Sequence, residues 1–169
     1  MTKKISKQNQ INEIIKCGKD PVYFMNKYLK IQHPMKGLIP LNTFDFQDEC
    51  VKDFNSHRFN IILKSRQLGL STLVAAYSVW QSIFYKEKNI LIIATKLAVA
   101  QNFIRKVKTY IKSMPKWLLV PVITANNKQQ VEFSNGSQIK AVPTSEDAGR
   151  SEALSLLIVD EAAFVRNFD

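Results

Sequence analysis

The stretch Phe59-Asn60-Ile61-Ile62-Leu63-Lys64-Ser65-Arg66-Gln67-Leu68-Gly69-Leu70-Ser71-Thr72 decides the fold. Phe59–Leu63 is a short apolar run of the kind a buried strand uses. After the loop, Leu73, Ala76, Tyr77, Trp80 and Phe84 recur at helical spacing. A strand, a glycine-bearing turn and a helix together offer backbone N–H groups and a positive helix end to phosphate. The usual spacing is G-x-x-x-x-G-K-[ST]. Gly69 and Ser71 fit the second glycine and the hydroxyl that meets Mg²⁺, whereas Lys64 replaces the first glycine and Leu70 the lysine. Leu70 cannot neutralise phosphate. Lys64, at the other end of the turn, has a four-carbon stem that can reach inward, and Arg66 adds a second cation. Taken alone, the stretch is equally a plain strand–turn–helix whose Ser71 or Thr72 caps the helix.

The rest of the chain tips the balance. Asn89–Thr95 reads as a second buried strand, and Leu154–Val159 as a continuous apolar strand running into Asp160-Glu161. In a nucleotide hydrolase the first of two such acids holds Mg²⁺, and the second orients the attacking water. Acids at a helix start are common by themselves; two strand-end signals with a strand and a helix between them are not. Val99, Phe103, Ile104, Val107 and Ile111 give the intervening helix its apolar stripe, with Arg105, Lys108 and Lys112 on another face. Gln130–Phe133 and Gln138–Val142 flank Asn135-Gly136, a hairpin signal. The alternation predicts an α/β fold: a mostly parallel sheet of the P-loop NTPase type, buried on both faces by flanking helices, with an inserted β-hairpin.

Upstream, residues 1–10 are polar and read as frayed. Helical patterns follow around Ile11–Ile15 and Val22–Leu29, with Asp20-Pro21 as cap and first-turn proline. His33-Pro34 and Gly37 mark a loop. A short helix over Phe46–Phe54 would place Phe46, Cys50 and Phe54 on one face. The expected organisation is a basic, partly disordered segment over residues 1–20 and a nucleotide-binding domain over 21–169.

The net charge of +10 is unevenly spread. Residues 1–36 carry eight lysines against Glu13 and Asp20, and Lys88 to Val131 contains no acid at all. Such a stretch suits a polyanion, because each neutralised phosphate releases counterions; the bland alternative is a solvated helix face. Cys17 and Cys50 are too few for a four-cysteine zinc site and form no Cys-x-x-Cys pair. No apolar run approaches the ~20 residues of a membrane span, and no signal core follows Met1-Thr2-Lys3-Lys4, so a soluble intracellular protein is expected.

On the loop KSRQLGLST (Lys64–Thr72), the strand LLIVDEAAF (Leu156–Phe164) and Phe46-Gln47, the sequence resembles the ATPase part of the large terminase subunit of tailed bacteriophages, the motor that packages DNA. The likeness runs over roughly residues 20–168, and Ser65–Gly69 is its most specific part. It implies ATP and Mg²⁺ on Lys64, Ser65, Arg66, Gln67, Leu68, Gly69, Leu70, Ser71 and Thr72. Ser71 and Asp160 would hold the metal, and Glu161 would activate water. Some terminases carry their phosphate-binding lysine where Lys64 stands. Gln47 matches the family's adenine-reading glutamine, with Phe46 against the base; an amphipathic helix with a core Phe explains the same pair. Arg66 in cis and Arg150 toward a neighbouring subunit compete for the role of stabilising charge on the γ-phosphate, and Arg150 is equally a surface arginine. The resemblance further implies double-stranded DNA, a portal protein and a small terminase subunit as partners. It also implies a homo-oligomeric ring, no membrane, and action in the host cytoplasm at the procapsid portal. A coupling motif and a nuclease domain would follow the Asp160-Glu161 strand, and a sheet lacking the next strand would expose an edge. Two other readings stay open: a helicase-like P-loop translocase, and a nucleic-acid-binding module with an inactive ATP site.

Overall fold

Ser6 caps the first helix through its side chain, accepting from the Asn9 amide at 3.3 Å, so α1 (Lys7–Lys19) begins in a segment expected to fray. The computed structural model describes residues 6–144 and 153–164. Asp20 caps α2 (Pro21–Tyr28) by accepting from the Tyr23 amide at 2.9 Å, with Pro21 in the first turn as its sequence predicts. The two helices are pinned by Glu13, whose Oε1 accepts from Tyr23 Oη (2.7 Å), Tyr28 Oη (2.8 Å) and Lys27 Nζ (2.7 Å). Burial alone would raise the Glu13 carboxyl, but donation from Lys27, Tyr23 and Tyr28 outweighs it and brings the pKa down to about 2.

A depressed folded-state pKa means that the Glu13 contribution is present above the ordinary carboxylate range and is lost as pH falls toward 2. Glu13→Gln is expected to cost about 1.5–3 kcal/mol near neutrality, the usual worth of hydrogen bonds to a charged group. Denaturant titration of both proteins from pH 7 to pH 2 checks this: the gap between them should close on the acid side.

The expected loop around His33-Pro34 is a hairpin of β1 (Lys30–His33) and β2 (Gly37–Pro40), paired antiparallel, with Gly37 at φ 70°. In the next helix, α3 (Asp45–Ser56), Cys50 and Phe54 of the expected stripe pack against the core beside the buried Gln47 and Val51, whereas Phe46 is exposed. Helix α4 (Leu70–Phe84) follows its apolar spacing and buries ten of its fifteen residues, because α2, α3 and α5 (Leu97–Ser113) all pack on it. Trp80 Nε1 donates to the Cys17 carbonyl at 2.8 Å, tying α1 to this helix.

The sheet has five strands in the order β4-β5-β6-β3-β7. Strand β3 (Asn89–Ala94) pairs in parallel with β6 (Gln138–Pro143) and with β7 (Leu156–Val159). The Asn135-Gly136 hairpin joins β5 (Gln130–Phe133) to β6, and β4 (Ile123–Asn126), which the sequence did not announce, extends it antiparallel. The parallel core with an attached hairpin is as expected. Ile90, Ile92, Ile139, Ala141, Leu156 and Ile158 share the face that meets the helical core. On the other face Leu91 and Ile93 of the central strand are buried, and Leu157 on β7 is 49% exposed.

The strand expected at Phe59–Leu63 does not form. Its residues join no ladder among the described residues, and Phe59, Ile61 and Leu63 lie in solvent. An apolar run reports a preference for burial but cannot supply a neighbour, and among the described residues β7 pairs with β3 alone and forms a sheet edge.

Candidate functional site

The turn between Lys64 and Leu70 is built by two left-handed residues, Gln67 at φ 65° and Gly69 at φ 71°. Gly69 is the N-cap of α4 and has no side chain to bond the first-turn amides. The Thr72 and Leu73 amides return to the Gly69 carbonyl at 3.0 and 2.9 Å, and those of Leu70 and Ser71, at the positive helix end, meet no acceptor among the described residues. A Cβ at residue 69 would stand 2.9 Å from Gln47 Nε2 and push that amide aside, but it is the positive φ that favours glycine here.

Gln47 is 5% exposed, and its Nε2 donates to the Leu68 carbonyl at 2.8 Å while its Oε1 accepts from the Phe44 amide at 3.2 Å. One amide therefore caps α3 and clamps the turn to it. Beside it the Phe44 and Phe46 rings stack with centroids 5.8 Å apart and planes 7° apart, both open to solvent.

Asp160 and Glu161 stand at the end of β7, where the Asp160 amide donates to the Ile93 carbonyl at 3.0 Å. Ser71 Oγ donates to Asp160 Oδ2 at 2.7 Å, so two segments 89 residues apart meet in one hydrogen bond. Glu161 is exposed and held at φ 57°, and its carbonyl accepts from the Phe164 amide at 2.8 Å as the chain enters a short 3-10 turn, Ala162–Phe164. A non-glycine residue in the left-handed region is a local cost, and such costs gather at functional sites.

Leu70, where the common motif has lysine, is 6% exposed and belongs to the hydrophobic core. Lys64 and Arg66 are exposed on the turn. On α5, Lys106 is half-buried, and burial lowers the pKa of its ammonium, opposed by the Asp160 carboxylate and reinforced by Lys64. One turn further along α5, Tyr110 Oη donates to the Thr72 carbonyl at 3.0 Å. In the sequence Lys106 is one lysine of the acid-free stretch from Lys88 to Val131. The available signal was its place between Phe103 and Tyr110, three residues after one and four before the other, on the flank of an apolar stripe.

The opposite flank of α5 forms an open groove with Gln101, Ile104, Arg105, Lys108 and Lys128, in which Lys108 Nζ donates to the Asn127 carbonyl at 2.7 Å. Lys112 is exposed on the same helix outside the groove lining. Arg150 lies outside the described residues. No group of three or more His, Cys, Asp or Glu side chains that could enclose a metal occurs among the described residues. A hydroxyl and one carboxylate are the sparse protein set that Mg²⁺ takes when phosphate oxygens and water complete its shell. Together the open amides, the lysines and the Ser71–Asp160 pair can receive a phosphate chain with its cation.

Residues 61–169 match the family described as "Terminase large subunit, T4likevirus-type, N-terminal", and the chain belongs to that family. Its fold is also that of a solved structure, "Crystal structure of the HK97 bacteriophage large terminase". The TM-score is 0.61 at 15% identity, over 84% of this chain and 37% of that one. The chain thus spans little more than a third of the length of the solved protein.

Proposed function

We propose that this terminase large-subunit region binds and hydrolyses ATP, and that hydrolysis drives duplex DNA into a phage capsid. The observation that carries the reading is the Ser71–Asp160 hydrogen bond, which joins the phosphate-type turn to the acidic strand end. The open amides at the start of α4 and Lys64 would hold the β- and γ-phosphates. Ser71 and Asp160 would hold Mg²⁺, which supplies charge neutralisation at the phosphates. Glu161 would take the proton of the attacking water, and Arg66 would meet charge developing on the γ-phosphate. Arg150 remains the alternative for that arginine role.

The stacked Phe44–Phe46 pair offers a flat apolar surface to adenine. Gln47, with each amide atom already engaged once, would read the base with its remaining proton and lone pair. Family membership favours a packaging motor over a helicase-like translocase. In the whole motor, a ring of subunits with portal and small-subunit partners at the procapsid in the host cytoplasm fits that membership. Calorimetric titration with ATP, with and without Mg²⁺, tests the site. Binding should need Mg²⁺ and weaken on Asp160→Asn. Binding indifferent to both would refute the proposal, and binding without turnover would favour the inactive module.

The groove on α5 is the proposed contact for the DNA backbone. Arg105→Gln with Lys108→Gln should weaken duplex binding and flatten the dependence of log K on log salt by up to about two phosphate contacts. Adding Lys112→Gln should contribute less, since that residue stands outside the groove. An unchanged salt slope in a fluorescence titration returns the helix to a solvated face.

A further inference from the structure

We propose that Lys106 is a third cation of the phosphate site, donating its ammonium to the terminal phosphate of a bound nucleoside triphosphate. The proposal rests on the reading that the 64–72 turn and Asp160 receive ATP.

Three placements support it. Helix α5 is docked on the start of α4 by the Tyr110 Oη to Thr72 carbonyl bond at 3.0 Å, so the flank carrying Phe103, Lys106 and Tyr110 faces the phosphate turn. Asp160, one of the two charges felt by Lys106, is bonded to Ser71 and marks the metal end of the site; the other charge is Lys64, on the turn itself. Among the described residues no ion pair or hydrogen bond occupies the Lys106 ammonium, although the residue is half-buried. A partly desolvated cation without a partner is costly. Lys64 adds repulsion to that cost. A triphosphate on the turn would bring the missing negative charge to the Asp160 side, where its last phosphate would lie.

The arrangement also accounts for Leu70. The common motif delivers its phosphate lysine from the first residue of the helix, and here that side chain is committed to the core. Lys64 from one side and Lys106 from another supply the charge instead. A cation near the metal end distinguishes ATP from ADP, because only the former presents a γ-phosphate there.

The test is calorimetric titration of the full chain with Mg·ATP and Mg·ADP, in the parent, Lys106→Met and Lys106→Arg. Met keeps the stem and removes the charge. The expected result is an ATP affinity lowered on the order of 10- to 100-fold by Lys106→Met, the range for losing a hydrogen bond to a charged group. ADP affinity should change less than about threefold on the same argument, and Lys106→Arg should recover part of the ATP preference. An ATP-to-ADP ratio unchanged from the parent, or an equal loss of both nucleotides, overturns the proposal.

A second measurement on the parent needs no folded variant: acetylation of Lys106, followed by mass spectrometry, should be slowed by Mg·ATP and not by Mg·ADP. Equal labelling in the two nucleotides overturns the proposal while leaving ATP binding intact. A parent that binds no ATP overturns both this proposal and the reading beneath it.

Discussion

Glu161→Gln is expected to leave ATP binding within about threefold of the parent while lowering turnover by about 10²–10⁴-fold, the range for loss of a general base. Glutamine preserves the shape and the hydrogen-bonding reach of glutamate and removes only its capacity to take a proton. Glu161 is exposed, so the change opens no cavity, and its backbone is fixed on both sides: the Asp160 amide on the Ile93 carbonyl and the Phe164 amide on the Glu161 carbonyl. Those bonds maintain the left-handed φ of 57°, a conformation costing a non-glycine residue roughly 1–2 kcal/mol. The neighbouring Asp160 turns toward Ser71, while Glu161 is exposed to the solvent from which the attacking water would come. Hydrolysis measured at saturating ATP with duplex DNA, beside a binding titration, checks the result. Turnover equal to the parent would remove Glu161 from the chemistry.

What could be read in the sequence depended on whether the information was local. Helix α4, strand β3 and the Asn135-Gly136 hairpin announce themselves through periodicity and turn chemistry, and each forms within a residue or two of its expected bounds. Phe59–Leu63 carries the composition of a strand but found no ladder, because pairing depends on a neighbour that composition does not name. Strand β4 carries no local signal, since Ile123-Thr124-Ala125-Asn126 is short and half polar, and it exists by pairing with β5.

The same division holds at the site. Ser71 and Asp160 were legible as separate strand-end signals, and their 2.7 Å bond joins them. The Gln47 position in the sequence suggests a base contact, but its place as the clamp on Leu68 follows from α3 lying against the turn, a tertiary fact. Lys106 is one of several lysines in an acid-free stretch until α5 is docked on α4. Helix α5 then carries Lys106, which feels the Asp160 and Lys64 charges, on one flank and Arg105 with Lys108 in the groove on the other.

Lys64→Ala is expected to lower ATP affinity on the order of 10- to 100-fold, the worth of a charge-assisted bond to phosphate, while substitution at Leu70 should leave affinity nearly unchanged. The burial of Leu70 decides how this contrast must be made. At 6% exposure within the core, Leu70→Ala would leave a cavity costing about 2–5 kcal/mol, and a loosened α4 would weaken binding for reasons unrelated to phosphate. Leu70→Met keeps the volume at a cost usually below about 1.5 kcal/mol and is the fair comparison. Lys64 is exposed, so its truncation should not disturb packing, and thermal melting of Lys64→Ala should match the parent. Leu70→Lys sharpens the contrast further: if the turn needs only a charge near the helix start, Leu70→Lys in the Lys64→Ala background should restore binding. If the core holds residue 70 inward, that double variant should lose stability and recover nothing. Equal ATP affinity in Lys64→Ala and the parent would show that the turn grips phosphate without this lysine, leaving its open amides, Arg66 and Lys106 to carry the charge.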